Sequence, residues 1–168
     1  MFQVNDYLAY GNSGVCKVIE IGTPDMNGID KSILYYTLQP VYSKGSIIYT
    51  PTGNENKAIR KILSEEEALD LINDIPNIET IQESNDKLRE IIYKEAMKKH
   101  ECREWVKIIK TLYLKNKQRL LDGKKIASTD LRYLHEAEEC LYGELSIPLG
   151  IPKDNMEDLI NNKIDLLI

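Results

Sequence analysis

Ser64-Glu65-Glu66-Glu67-Ala68-Leu69-Asp70-Leu71-Ile72 divides the 168-residue chain into two kinds of sequence. A serine followed three residues later by glutamate is a capping box: the hydroxyl accepts from the third helical amide and the glutamate reaches back to the serine amide. Ala68, Leu69, Leu71 and Ile72 then supply one apolar side, which predicts a short helix near 65–73. Upstream of this stretch the residues are β-branched and aromatic, broken by turn signals at Gly11-Asn12-Ser13-Gly14, Pro24 to Gly28, Ser43-Lys44-Gly45 and Pro51-Thr52-Gly53. The runs Tyr7 to Tyr10, Val15 to Gly22, Ser32 to Pro40 and Ser46 to Thr50 are each short enough for a strand. Four or five such strands joined by tight turns predict a small twisted or barrel-like antiparallel sheet.

Downstream the period is helical. Ser84 or Asn85 caps a helix running to about Lys99, with Leu88, Ile91, Ile92 and Ala96 expected on its buried face. Trp105, Ile108, Ile109 and Leu112 recur at helical spacing within 102–121, placing the single tryptophan in a core. Ser128 or Thr129 opens the next helix, with Leu131, Leu134, Ala137, Leu141 and Leu145 as its buried stripe and Pro148, Gly150 and Pro152 to stop it. Asp154-Asn155-Met156-Glu157 reads as a second capping box, followed by Met156, Leu159 and Ile160 as a buried side. Strands followed by helices argue for an α+β chain in two units rather than an alternating parallel sheet. The expected division is an antiparallel β-barrel domain over 1–55 and an all-helical domain of about five helices over 56–168.

Hydrophobic residues make up 42% and charged residues 29% of the chain, a balance that suits a globular protein and leaves no apolar run long enough for a membrane span. Met1 to Asp6 carry neither a basic region nor an apolar stretch, and a cytoplasmic protein is expected. Cys16, Cys102 and Cys140 are odd in number and widely separated, which supports neither a disulfide framework nor a zinc site. No phosphate loop, dinucleotide fingerprint or nucleophile elbow is present. Histidine is limited to His100 and His135, and His135 beside Glu136 has no nucleophile in a recognisable setting. Glu136, Glu138, Glu139 and Glu144 read as a solvated helix face. No catalytic residue, metal, cofactor or small-molecule substrate is therefore expected, and the chain is not read as an enzyme.

The net charge of −5 hides a block structure: −1 over 1–52, −5 over 53–85, +7 over 86–125 and −6 over 126–168. A charge run is ordinarily a solvated face. A surplus of seven within forty residues, flanked by acidic blocks, is also what a surface touching phosphates concentrates. The acidic total makes such binding weak and salt-dependent for the chain alone, so a second attachment is needed to hold it on nucleic acid.

Several segments resemble the CarD/CdnL family of bacterial RNA polymerase-binding transcription regulators. Phe2-Gln3-Val4-Asn5-Asp6-Tyr7-Leu8-Ala9-Tyr10 and Gly14-Val15-Cys16-Lys17-Val18 are similar to that family's opening strand and the glycine-led strand after it. Lys44-Gly45-Ser46-Ile47-Ile48-Tyr49-Thr50-Pro51 resembles its glycine turn and following strand. Trp105 to Tyr113 resembles a helix of its second domain, and Ser128 to Leu134, with Ala137 and Leu141, the helix after that. The resemblance implies a Tudor-like domain that docks an exposed strand edge on the RNA polymerase β subunit. It also implies a helical domain that touches promoter DNA near the upstream edge of the bubble and alters open-complex stability. On that basis Tyr36, Lys44, Ile47 and Tyr49 are the expected polymerase contacts. Arg89, Lys94, Lys110, Lys115, Arg119 and Arg132 are the expected phosphate contacts, which position without reading bases. The family's helix-opening tryptophan, which wedges into the minor groove, has no counterpart: the matching stretch Asn85-Asp86-Lys87-Leu88-Arg89 lacks an aromatic residue. The competing expectation is a module that docks on polymerase or another partner without touching DNA.

Overall fold

The computed structural model describes residues 1–53 and 56–166. The chain forms two units, Met1–Ile62 and Leu63–Ile168. The first holds five strands among the described residues: β1 (Tyr7–Tyr10), β2 (Gly14–Gly22), β3 (Tyr35–Pro40), β4 (Ile48–Pro51) and β5 (Ile59–Lys61). They pair antiparallel in the order β4-β3-β2-β1-β5. The β1–β2 connection is a single 3-10 turn over Gly11–Ser13, closed by Gly14 at φ +73°, a conformation that L side chains rarely adopt. A register shift between Val18 and Glu20 bends β2, and the sheet curls into a Tudor-like half-barrel. Leu8, Cys16, Val18, Tyr36 and Leu38 form its core. Burial also lifts the Cys16 thiol to about 11, so it packs as an inert apolar group.

β5 was not among the sequence-derived strands. It lies beyond the expected junction after residue 55, which itself falls outside the described residues, and its pairing with β1 carries the first unit to Ile62.

The second unit contains α1 (Glu65–Asp74), α2 (Asp86–Lys98), α3 (Cys102–Leu121), α4 (Ser128–Leu149) and α5 (Met156–Asp165) among its described residues. Ser64 and Glu67 close the capping box on α1 in both directions, and Asn85 caps α2 by accepting from the amides of Lys87 and Leu88. Trp105, Ile108, Ile109 and Leu112 of α3 enter one core with Leu141 and Leu145 of α4 and Ile160 of α5.

Five expectations about faces and ends are corrected. α2 buries Arg89, Tyr93 and Ala96 and turns Leu88, Ile91 and Ile92 outward, 49%, 55% and 38% exposed. Its rotation is fixed by Tyr93, which lies 5.3 Å from the ring of Tyr133 on α4, and by Ala96, whose small side chain permits close approach. On α4, Asp130 and Tyr133 face inward while Leu131 is exposed, and the helix runs through Pro148 to Leu149 before Gly150 ends it at φ +62°. Asp154, the expected cap, lies inside a 3-10 turn over Lys153–Asn155 and no side-chain cap hydrogen bond precedes Met156, so no capping box opens α5. Of the acidic residues on α4, Glu144 is fully buried and accepts from the Leu63 amide at 3.2 Å. Glu138 is partly buried, and desolvation with help from nearby Glu157 lifts its carboxyl to about 7.

Candidate functional site

Two surfaces carry the sequence-derived candidates, one in each unit. In the first unit the sheet ends on two chemically different edges. β5 reads Ile59-Arg60-Lys61, and charges on an edge strand deter pairing with another chain. β4 reads Ile48-Tyr49-Thr50-Pro51 without a charge, and among the described residues it pairs only with β3. Ile48 and Thr50 point inward; Tyr49 and Pro51 point outward, preceded by exposed Ile47. β4 thus offers an outer main-chain edge at Tyr49, the Pro51 carbonyl already accepting from the Asn56 side-chain amide at 3.0 Å, together with outward apolar side chains. Beside it lies an open recess of about 980 Å³ lined partly by Tyr10, Leu34, Thr50 and Pro51.

Three of the four expected polymerase contacts are accessible there: Lys44 in the β3–β4 turn, Ile47 and Tyr49. Tyr36 is not. It is 2% exposed, its hydroxyl accepts from the Phe2 amide at 2.9 Å, and its ring stands edge-on to that of Phe2. Tyr36 faces the core because it is paired with Thr50, one of the inward residues of β4.

In the second unit the basic block does not form one cationic face. Arg89 is 8% exposed, bonded to Asp86 at 2.6 Å and to the Glu83 carbonyl, with Asp130 at 3.9 Å. Lys110 is 4% exposed and donates to the carbonyls of Ile75, Pro76 and Ile78 at 2.9, 3.1 and 2.6 Å; burial pulls its ammonium below the ordinary lysine range. Neither can reach a phosphate, and both are withdrawn as DNA contacts. Lys115 is partly exposed, but its ammonium is held at 2.6 Å by the buried Asp130. Lys94 and Arg132 are exposed and converge on Glu90 at 3.6 and 3.3 Å.

Acids from the flanking blocks and from the block itself hold the rest. Arg103 meets Asp74 and Lys117 meets Asp165, while Lys99 and Lys107 share Glu104 and Lys98 meets Glu95. Among the described residues, four accessible or partly accessible cations of the block make no ion pair: Lys87, Arg119, Lys124 and Lys125. Three of these cluster at the α3–α4 turn, where the Arg119 Nε donates to the Lys125 carbonyl at 2.8 Å. Composition alone could not single out this turn. The usable signal was Asp122-Gly123, which carries Lys124 and Lys125 past the end of α3 and beyond an acidic neighbour on the same helix.

Among the described residues no helix is long and apolar enough to cross a membrane. No curated protein matches the chain. Residues 2–63 match the family model of the CarD-like/TRCF RID domain, and they span all five strands and their core. This N-terminal segment is therefore similar to the RNA polymerase-interacting domain of CarD-like proteins.

Proposed function

We propose that the protein is a transcription regulator that docks on the RNA polymerase β subunit by adding its β4 edge to a strand of that subunit. Main-chain hydrogen bonds supply affinity in this mode, and side chains at alternate positions supply selectivity. The match over residues 2–63 carries the reading, and the uncharged edge with Ile47 and Tyr49 outward and Lys44 beside it supports it. The second unit contacts promoter DNA non-specifically and alters open-complex stability. Its contacts are Arg119 with Lys124 and Lys125 at the α3–α4 turn, assisted by Lys94 and Arg132. So few cations give weak binding by the chain alone, and docking on polymerase raises their effective concentration at the promoter.

One observation favours the second reading, a polymerase-docking module without DNA contact: most of the basic block is already neutralised by acids of the chain itself. The two readings separate in one experiment. Full-length chain is mixed with β subunit, and then with polymerase on a promoter fork at several salt concentrations. Loss of β-subunit capture by I47D/Y49D supports edge docking, and undiminished capture refutes it. Loss of promoter stabilisation by K124E/K125E, with capture intact, supports DNA contact; no change at any salt concentration supports the module without DNA.

A further inference from the structure

The apolar patch on the outward face of α2 has no role in either reading. Leu88, Ile91 and Ile92 follow helical i, i+3, i+4 spacing, and all three are exposed on a helix whose opposite side is packed against the core. A lone exposed leucine needs no explanation, but three contiguous branched aliphatics on one helix face form an apolar patch that a partner can cover. The charges around them restrict what can cover it. Lys87, Ile91 and Glu95 form one i, i+4, i+8 row, with Leu88 and Ile92 in the row beside it. Among the described residues Lys87 makes no ion pair, and Glu95 has only the exposed Lys98 at 3.4 Å.

We propose that this face is a contact between two copies of the chain, with α2 packed antiparallel against α2 of the second copy about a two-fold axis near Ile91. Lys87 and Glu95 lie four residues to either side of Ile91, about 6 Å along the axis at 1.5 Å per residue. Antiparallel pairing therefore sets Lys87 of each copy opposite Glu95 of the other, twice by symmetry, and the apolar rows meet between them. A parallel arrangement would set Lys87 against Lys87. The Lys87–Ile91–Glu95 row is self-complementary in charge and the patch in apolar pattern, which is the requirement for an isologous contact, while Lys94, paired with Glu90, and Lys98 stand at its rim. One helix face is small for an interface, so the dimer is weak, with a dissociation constant on the order of 100 μM.

The test is sedimentation of the full chain from about 1 μM to 1 mM, a range chosen to bracket that constant. The wild type is expected to move from monomer to dimer, and I91K to remain monomeric throughout. K87E and E95K each weaken association about tenfold, and K87E/E95K restores it, because the swapped charges again face each other across the axis. A wild type that stays monomeric at the highest concentration overturns the proposal. So does a dimer indifferent to I91K, or a double charge reversal that fails to restore what the singles lose. If I91K instead abolishes polymerase or DNA binding by a chain that never dimerises, the face belongs to that partner and the self-association is refuted.

Discussion

Replacing Lys110 by methionine keeps the aliphatic stem that packs in the helical unit and removes only the ammonium. That group serves three carbonyls in the segment between α1 and α2. The Ile75 carbonyl also accepts from the Ile78 amide at 3.2 Å, whereas those of Pro76 and Ile78 lose the lysine donor. Each acceptor left unsatisfied in a buried setting costs about 1–3 kcal/mol. Part of that is offset because the variant no longer holds an ammonium away from water. The expected net loss is about 2–4 kcal/mol, several times the roughly 0.5 kcal/mol expected for K94M at an exposed position. Trp105, the only tryptophan and itself in the helical core, reports unfolding of this unit by fluorescence in urea. In the folded state K110M should leave the salt dependence of promoter binding unchanged, since a buried ammonium releases no counterion from DNA. A K110M curve superimposable on wild type, accompanied by a salt slope shallower by about one, would mean that Lys110 meets a phosphate and that its burial has been misread.

Three further outcomes follow from the same structure. K124Q/K125Q should flatten the logarithmic salt dependence of promoter binding by about two, at roughly 0.9 for each duplex phosphate that is no longer neutralised, without changing urea stability. Y36F should cost about 1 kcal/mol in urea by removing the acceptor for the Phe2 amide and leave polymerase capture intact, while Y49A should do the reverse. Glu138 holds its proton up to about 7 when folded but releases it near 4.5 when unfolded. Between those values the folded state binds more protons, so stability falls as pH rises through this window. E138Q should melt like wild type near pH 4 and be more stable by about 1–2 kcal/mol at pH 8, measured by thermal unfolding in both buffers.

The order of strands before helices was legible because the two halves carry different periods and a capping box stands at their border. The bounds of α3 were legible because apolar spacing and Asp122-Gly123 agree. β5 was not, since three residues reading Ile-Arg-Lys carry no alternation and their pairing with β1 is a long-range event. The inward side of α2 was misassigned for a different reason. Leu88, Ile91, Ile92 and Ala96 form an apolar row in sequence, but Tyr93 and Arg89 also lie on one side, and the tertiary partners Tyr133 and Asp130 decide which side is buried. Periodicity identifies that a helix has a face without saying whether that face meets the core or another molecule.

The candidate DNA surface was only partly legible because charge summed along a chain differs from charge summed over a surface. Residues 86–125 carry a surplus of seven, yet helix packing returns Asp74, Asp130 and Asp165 from the neighbouring blocks to Arg103, Lys115 and Lys117. The Lys115–Asp130 pair cannot simply be redirected to a phosphate. Asp130 is 2% exposed, and withdrawing Lys115 would leave its charge with the Arg89 guanidinium at 3.9 Å as its nearest ion-pair partner among the described residues. Breaking a buried pair by removing one partner costs about 3–5 kcal/mol, more than one solvent-exposed phosphate contact returns. A cation can therefore serve DNA here only where no buried acid depends on it. The turn after α3 meets that condition because Gly123 takes the chain out of the helix at φ +71°, and Lys124 and Lys125 follow with no ion-pair partner among the described residues.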